Sequence, residues 1–156
     1  MKPNSFIYLR NHLVLYMKNK ITLTVEYDFP ISTVWNALTN KDSISQWLMP
    51  CDIEPVIGHK FQFKTKSNFL FDGIINCEVI ELVENKILSF SWNGGSLKNT
   101  IVVFRLEEAG NKTILHFEHK GFEGLFNKIM VQKILSNGWK SKILTQYLPN
   151  YLEKNG

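Results

Sequence analysis

A chain of 156 residues has the length of one domain, and 44% hydrophobic with 13% aromatic residues can supply a sizeable core. The net charge of +4 is spread along the chain without a basic stripe or an aromatic RNA-binding motif, so no nucleic-acid partner is expected. Cys51 and Cys77 form no CxxC pair, so the sequence predicts neither a zinc site nor a disulfide, and reduced thiols favour a cytoplasmic location.

The first residues, MKPNSFIYLRNHLVLY, are apolar in part but are interrupted by Arg10 and His12. They resemble no signal peptide and are too short to span a membrane, so no membrane partner is expected. Met17 stands as a second start directly before the first convincing strand. We therefore predict that residues 1–19 are an extension, either a disordered arm or the product of an upstream start, and that the domain covers residues 20–153.

The domain begins with a strand over residues 21–27, where apolar and polar residues alternate with a period of two until Pro30. Two short helices follow. Ser32 is the predicted cap of the first helix, and Asp42 or Ser43 is the predicted cap of the second, which ends near Trp47.

Five further runs alternate as strands, near residues 61–63, 69–83, 87–92, 100–106 and 113–119. Most of their links are short sequences rich in turn residues, such as EEAGNK, and AGNKT is predicted to be a hairpin turn. Short links favour antiparallel neighbours, so the sequence predicts a meander. After Gly121 the apolar period changes to that of a helix, and Pro149 is expected to kink or end this helix. The whole is an α+β fold with a curved antiparallel sheet of about six or seven strands and a long C-terminal helix.

This order of elements and the residues at its corners resemble the START-like (SRPBCC, helix-grip) superfamily, in the branch of the C-terminal domain of the activator of heat-shock protein 90 ATPase. The motifs that carry the resemblance are VWNALTNKDSISQW (34–47), Gly58 followed by Phe61 and Phe63, LSFSW (88–92), TILHFEHKGF (113–122), and Gly138-Trp139 followed by Ile143 and Tyr147. The resemblance implies a sheet that grips the long helix around a cavity.

Strand alternation and helix spacing select the side chains that would line this cavity. The ligand-pocket candidates are Trp47, Phe61, Phe63, Phe90, Trp92, Phe104, Phe117, His119, Phe126 and Trp139. Because this lining is overwhelmingly apolar, the sequence predicts a small, mostly apolar molecule as the ligand.

His119 is the most informative polar candidate, because it shares its strand face with Leu115 and Phe117. It is interpreted either as a core histidine or as a ligand contact or general base. Glu78, Glu81, Glu118 and Glu123 are near it in sequence, but no motif pairs any of them with it. No catalytic residue, metal ligand or cofactor motif is predicted.

Gly138 costs a helix about 1 kcal/mol relative to alanine, yet it stands directly before Trp139. We expect that it lets the helix approach the sheet closely.

The leading prediction for the function is a ligand-binding domain without demonstrated catalysis. The alternatives are a chaperone-interaction module and a cyclase- or hydrolase-like enzyme that uses His119. The oligomeric state is not predicted.

Overall fold

The structure is a computed structural model that describes residues 19–156. It contains one six-stranded antiparallel sheet with the strand order β1-β6-β5-β4-β3-β2. The predicted α+β helix-grip fold is confirmed. The extension predicted over residues 1–19 lies outside the described residues, except for Asn19. The strands are β1 (Lys20–Tyr27), β2 (Lys60–Lys64), β3 (Ile74–Val83), β4 (Ile87–Gly94), β5 (Leu97–Ala109) and β6 (Lys112–Lys120).

Strands β3 to β6 form the predicted meander, because each is joined to the next by a short turn. In the β5–β6 hairpin, Ala109 pairs with Lys112 across a turn in which Gly110 has φ +63°. Glycine adopts this backbone conformation without a steric cost, so the AGNKT segment is a hairpin turn as predicted. Strand β1 pairs with β6 and so brings the start of the domain beside the end of the meander.

Two short helices, α1 (Ile31–Thr39) and α2 (Lys41–Trp47), follow β1. Their predicted caps were wrong. Helix α1 begins directly after Pro30, which offers no side-chain cap, and α2 is capped by Asn40, whose side-chain oxygen accepts from the amides of Asp42 and Ser43, both at 3.0 Å. Asparagine is a strong cap because its short side chain reaches these otherwise unpaired donors.

The run predicted as a strand over residues 69–83 begins later, at Ile74. Gly73 explains the difference, because its φ of +81° is a left-handed conformation and a Cβ there would collide with the Thr65 carbonyl oxygen. Residues 65–73 therefore form a loop between β2 and β3 that carries the exposed side chains of Phe69 and Leu70.

The C-terminal helix runs without a break over residues 125–155 and confirms the predicted long helix. The helix does not end at Pro149, one of the two outcomes expected there, because it continues through this residue to Asn155. Along the helix, π-helical and α-helical stretches alternate: Asn127–Val131 (π), α3 (Gln132–Gly138), Trp139–Tyr147 (π) and α4 (Leu148–Asn155).

Pro149 has a consequence for the π-helical stretch before it. The Leu148 amide bonds to the Ile143 carbonyl, five residues back, and the next bond of this series would need an amide proton on residue 149. The Leu144 carbonyl instead accepts a hydrogen bond from the buried Tyr27 hydroxyl at 2.7 Å. This bond ties the C-terminal helix to β1.

The core lies between the inner face of the sheet and the second half of the C-terminal helix. Trp139, Leu144, Leu148 and Leu152 are at most 1% exposed. Helix α1 packs against α4 and β5. By contrast, neither Asn127–Val131 nor α3 contains a buried residue.

Candidate functional site

Eight of the ten predicted pocket residues lie together and form what we call the aromatic layer. Seven of them lie on the sheet, and Trp139 reaches them from the C-terminal helix. All eight are at most 5% exposed. The members of the aromatic layer are Phe61, Phe63, Phe90, Trp92, Phe104, Phe117, His119 and Trp139.

The rings of the aromatic layer are in direct contact. Centroid distances run from 4.5 Å between Phe117 and Trp139 to 6.3 Å between Phe104 and Trp139, and most pairs are tilted or edge-on. Such geometry adds a specific attraction to the burial of apolar area. The layer is therefore a close-packed aromatic surface that covers the inner face of the sheet.

The other two candidates lie elsewhere. Trp47 is buried at the end of α2, where its indole N–H donates to the Ala37 carbonyl at 2.8 Å. It borders an open surface pocket of about 440 Å³ that Tyr147 and Tyr151 also line. Phe126 is 61% exposed on the first turn of the C-terminal helix, so it does not join the aromatic layer in this conformation.

His119 is the polar centre of the aromatic layer, and a chain of hydrogen bonds satisfies it completely. The Trp139 indole N–H donates to His119 Nδ1 at 3.3 Å, so Nδ1 must be the unprotonated acceptor. The other nitrogen, Nε2, then carries the proton and donates to Thr100 Oγ1 at 2.9 Å. Thr100 in turn donates to the Trp92 carbonyl at 2.7 Å. This network assigns one neutral tautomer to His119.

The surroundings of His119 oppose its protonation. Burial lowers the pKa of His119 to about 3, because a charged ring would lose its hydration. The four acidic residues near it in sequence do not compensate: Glu118 bonds to Lys20 at 3.3 Å, and Glu78, Glu81 and Glu123 are exposed. The imidazole is therefore a structural donor and acceptor, which agrees with its interpretation as a core histidine.

The two cysteines lie in surroundings that favour the protonated thiol. Burial raises the pKa of both Cys51 and Cys77, which disfavours the thiolate that a nucleophile or a zinc ligand requires. Within residues 19–156, no three His, Cys, Asp or Glu side chains converge as metal ligands.

The expectation for Gly138 was wrong. A Cβ at this position would meet only the Ile143 Cδ1 atom, at 4.0 Å, so no close approach to the sheet requires glycine here. Trp139 is nevertheless buried, at 1% exposure. Helical spacing correctly indicated that Trp139 is buried, but it could not show which side chains surround Gly138.

Sequence reasoning also missed Thr100 and Tyr27. Thr100 lies two residues before Val102, which is directly opposite His119 in the register, so strand alternation alone could have placed Thr100 on the inward face of β5 as a diagonal neighbour of His119. The bond from Tyr27 to Leu144 could not be read from the sequence, because it depends on the π-helical stretch and on how the helix seats against β1.

The comparisons with known proteins agree with this architecture. Residues 28–153 match the family model described as Activator of Hsp90 ATPase homolog 1-like protein. The chain belongs to this family. Among curated proteins, none matched the chain.

Solved structures show the same fold. A protein from Mesorhizobium loti is 27% identical with a TM-score of 0.73, and the match covers 86% of this chain and 98% of that one. A protein from Bacillus halodurans is 26% identical with a TM-score of 0.70, covering 85% and 96%. An HSP90 activator from Plasmodium falciparum is 20% identical with a TM-score of 0.64, covering 80% and 90%, a level that speaks for the fold alone.

Proposed function

We propose that this domain binds a small, mostly apolar molecule between the sheet and the first half of the C-terminal helix. The observation that carries the proposal is the contrast between these two surfaces. The sheet presents an aromatic layer, while the helix contains no fully buried side chain from Asn127 to Gly138, where only partial burial brings Val131 and Leu135 against the core. This part of the helix can therefore move away from the sheet at a lower cost in lost packing than the second half, which buries Trp139 and three leucines.

The π-helical stretches support such a movement. They flank α3, at Asn127–Val131 and Trp139–Tyr147, and such stretches occur often at functional sites. A movement of α3 that carries Trp139 with it would uncover the aromatic layer, where the polar atoms of His119 and Trp139 already bond to each other and to the neighbouring Thr100. The ligand would then gain affinity from apolar area and ring contacts rather than from hydrogen bonds.

A reversible crosslink tests this proposal. Ser96 and Asn127 are joined by two hydrogen bonds, at 2.6 and 3.1 Å, and so connect the β4–β5 turn to the start of the helix. In a Cys51→Ser background, Ser96→Cys with Asn127→Cys can be bridged by a short reagent that contains a disulfide. Binding of the neutral fluorescent probe N-phenyl-1-naphthylamine is expected to fall on bridging and to return on reduction.

The matched control carries Ser96→Cys alone, treated with the same reagent, and should bind the probe as the unmodified protein does. If the bridged protein takes up the probe undiminished, the ligand does not enter beneath α3 and the proposal fails. Native mass spectrometry of the protein from its own host identifies the natural ligand, which should dissociate in organic solvent.

A second candidate is the chaperone-interaction module. It is favoured by the match to the Hsp90-activator family and by the aromatic layer, whose rings already contact one another as in a filled core. Its test is the ATPase rate of purified Hsp90 with and without this protein. A rise that saturates with protein concentration supports the module, and an unchanged rate argues against it.

A further inference from the structure

Large apolar side chains are exposed at one end of the molecule. Two come from the loop between β2 and β3, where Phe69 is 94% and Leu70 is 76% exposed. The others follow one another along the first half of the C-terminal helix. We call this set the apolar patch: Phe69, Leu70, Leu125, Phe126, Ile129, Met130 and Ile134, with exposures from 45% to 94%.

The two parts of the apolar patch are held at the same end by the β4–β5 turn. Ser96 in this turn bonds to Asn127 of the helix. The same turn also lies against the loop that carries Phe69, because a Cβ added to Gly95 would be 3.5 Å from the Phe71 ring of that loop. Exposed apolar surface gathered in this way marks an interaction site more often than scattered residues do.

The surroundings of the apolar patch are basic. The chain from residue 125 to residue 152 contains four lysines and no acidic residue. The neighbouring strand ends and the loop add further lysines at the same end, against the acidic residues Asp72, Glu118 and Glu123, of which Glu118 is paired with Lys20 at 3.3 Å. The lysines that flank the patch are Lys64, Lys66, Lys98, Lys120, Lys128 and Lys133.

The positive charge around the apolar patch decides which partner could cover it. A second copy would bring one basic patch against another. Residues 1–18 contain Lys2, Arg10 and Lys18 and no acidic residue, so they too have the wrong sign. Like charges in contact are unfavourable, and the complementary partner is therefore both apolar and anionic.

We propose that the apolar patch docks on an anionic lipid surface. A helix with an apolar face and lysines beside it suits the boundary between headgroups and acyl chains. The protruding loop favours lipid over an acidic polypeptide, because Phe69 is too exposed to help form a groove, whereas a lipid interface accepts single projecting rings. No helix of the described residues could cross a bilayer, but peripheral contact requires none.

Flotation of the full-length protein with vesicles tests this proposal. Binding is expected to vesicles of phosphatidylcholine with phosphatidylserine, to fall with added salt, and to be much weaker to phosphatidylcholine alone. Phe69→Ser with Phe126→Ser should weaken binding about tenfold or more through lost apolar contact. Lys128→Gln and Lys133→Gln should each weaken it about fivefold.

The controls are Val83→Ser and Lys86→Gln in the β3–β4 hairpin at the opposite end of the sheet, and both should bind vesicles as the unchanged protein does. The proposal is overturned if the protein does not float with anionic vesicles, or if the patch variants bind as well as the controls. Binding of an acidic amphipathic peptide instead of vesicles would also overturn it. The ligand experiment contains no vesicles, so the two proposals can fail independently.

Discussion

The two halves of the C-terminal helix have opposite relations to the sheet. The second half buries Trp139, Leu144, Leu148 and Leu152 and is tied to β1 through Tyr27. The first half, from Asn127 to Gly138, contains no fully buried residue and exposes an apolar stripe, although Val131 and Leu135 pack against the core while partly buried. The same helical period thus produces a buried anchor in one half and a largely exposed apolar surface in the other.

The largest expected difference between the halves is between two aromatic residues. Trp139→Ala should lower the free energy of unfolding by about 3–5 kcal/mol, because it removes a buried ring and leaves a cavity in the aromatic layer. Phe126→Ala should change it by less than about 0.5 kcal/mol, since most of that side chain is already in water. Urea unfolding measures both changes, and comparable losses would contradict the division into an anchor and an exposed half.

The second prediction concerns the pH dependence of the anchor. The pKa of His119 is about 3 in the folded protein and about 6.5 when unfolded, so the unfolded state binds the additional proton. The neutral, buried His119 ring therefore makes its full contribution to the free energy of unfolding above about pH 6.5. This contribution is lost as the pH falls toward 3. Between about pH 6 and about pH 4.5, the free energy of unfolding should fall by about 2 kcal/mol.

Urea unfolding at several pH values measures this loss. The His119→Gln variant should show a flatter dependence, whereas His116→Gln, at an exposed pair with Glu107, should keep the slope of the unchanged protein. An unchanged slope in His119→Gln would mean that another group takes up the proton and that His119 is not the buried neutral residue described here.

Burial could be predicted from the sequence for Trp139 in the second half of the helix but not for Phe126 at its start. Periodicity and turn residues predicted the strands, the meander and the long helix, because these depend on local pattern. They also brought eight ring-bearing residues together correctly. Phe126 was misplaced because helical spacing shows which residues share a face but not how far along its length the helix stays on the sheet.

The third prediction tests the bond that fixes the anchor to β1. Tyr27→Phe removes only the hydroxyl and leaves the Leu144 carbonyl without its donor, since Pro149 cannot replace it. A buried acceptor left unpaired costs about 1–3 kcal/mol. Thermal unfolding should show this loss, while Tyr147→Phe, at a 47% exposed position, should leave the melting temperature nearly unchanged. Equal effects would show that the Tyr27 bond does not secure the helix.

The smallest expected effect is at Gly138, where the two halves meet. Its backbone is helical, with φ −61° and ψ −52°, and a Cβ would have open space around it. Gly138→Ala should therefore raise the free energy of unfolding by about 0.5–1 kcal/mol through helix propensity and a less flexible unfolded chain. Gly124 is the matched control, because it is equally uncrowded but has φ +81°, so Gly124→Ala should destabilise. A lower urea midpoint for Gly138→Ala would mean that the helix must bend or close at this junction, and that glycine serves the movement of α3 rather than its packing.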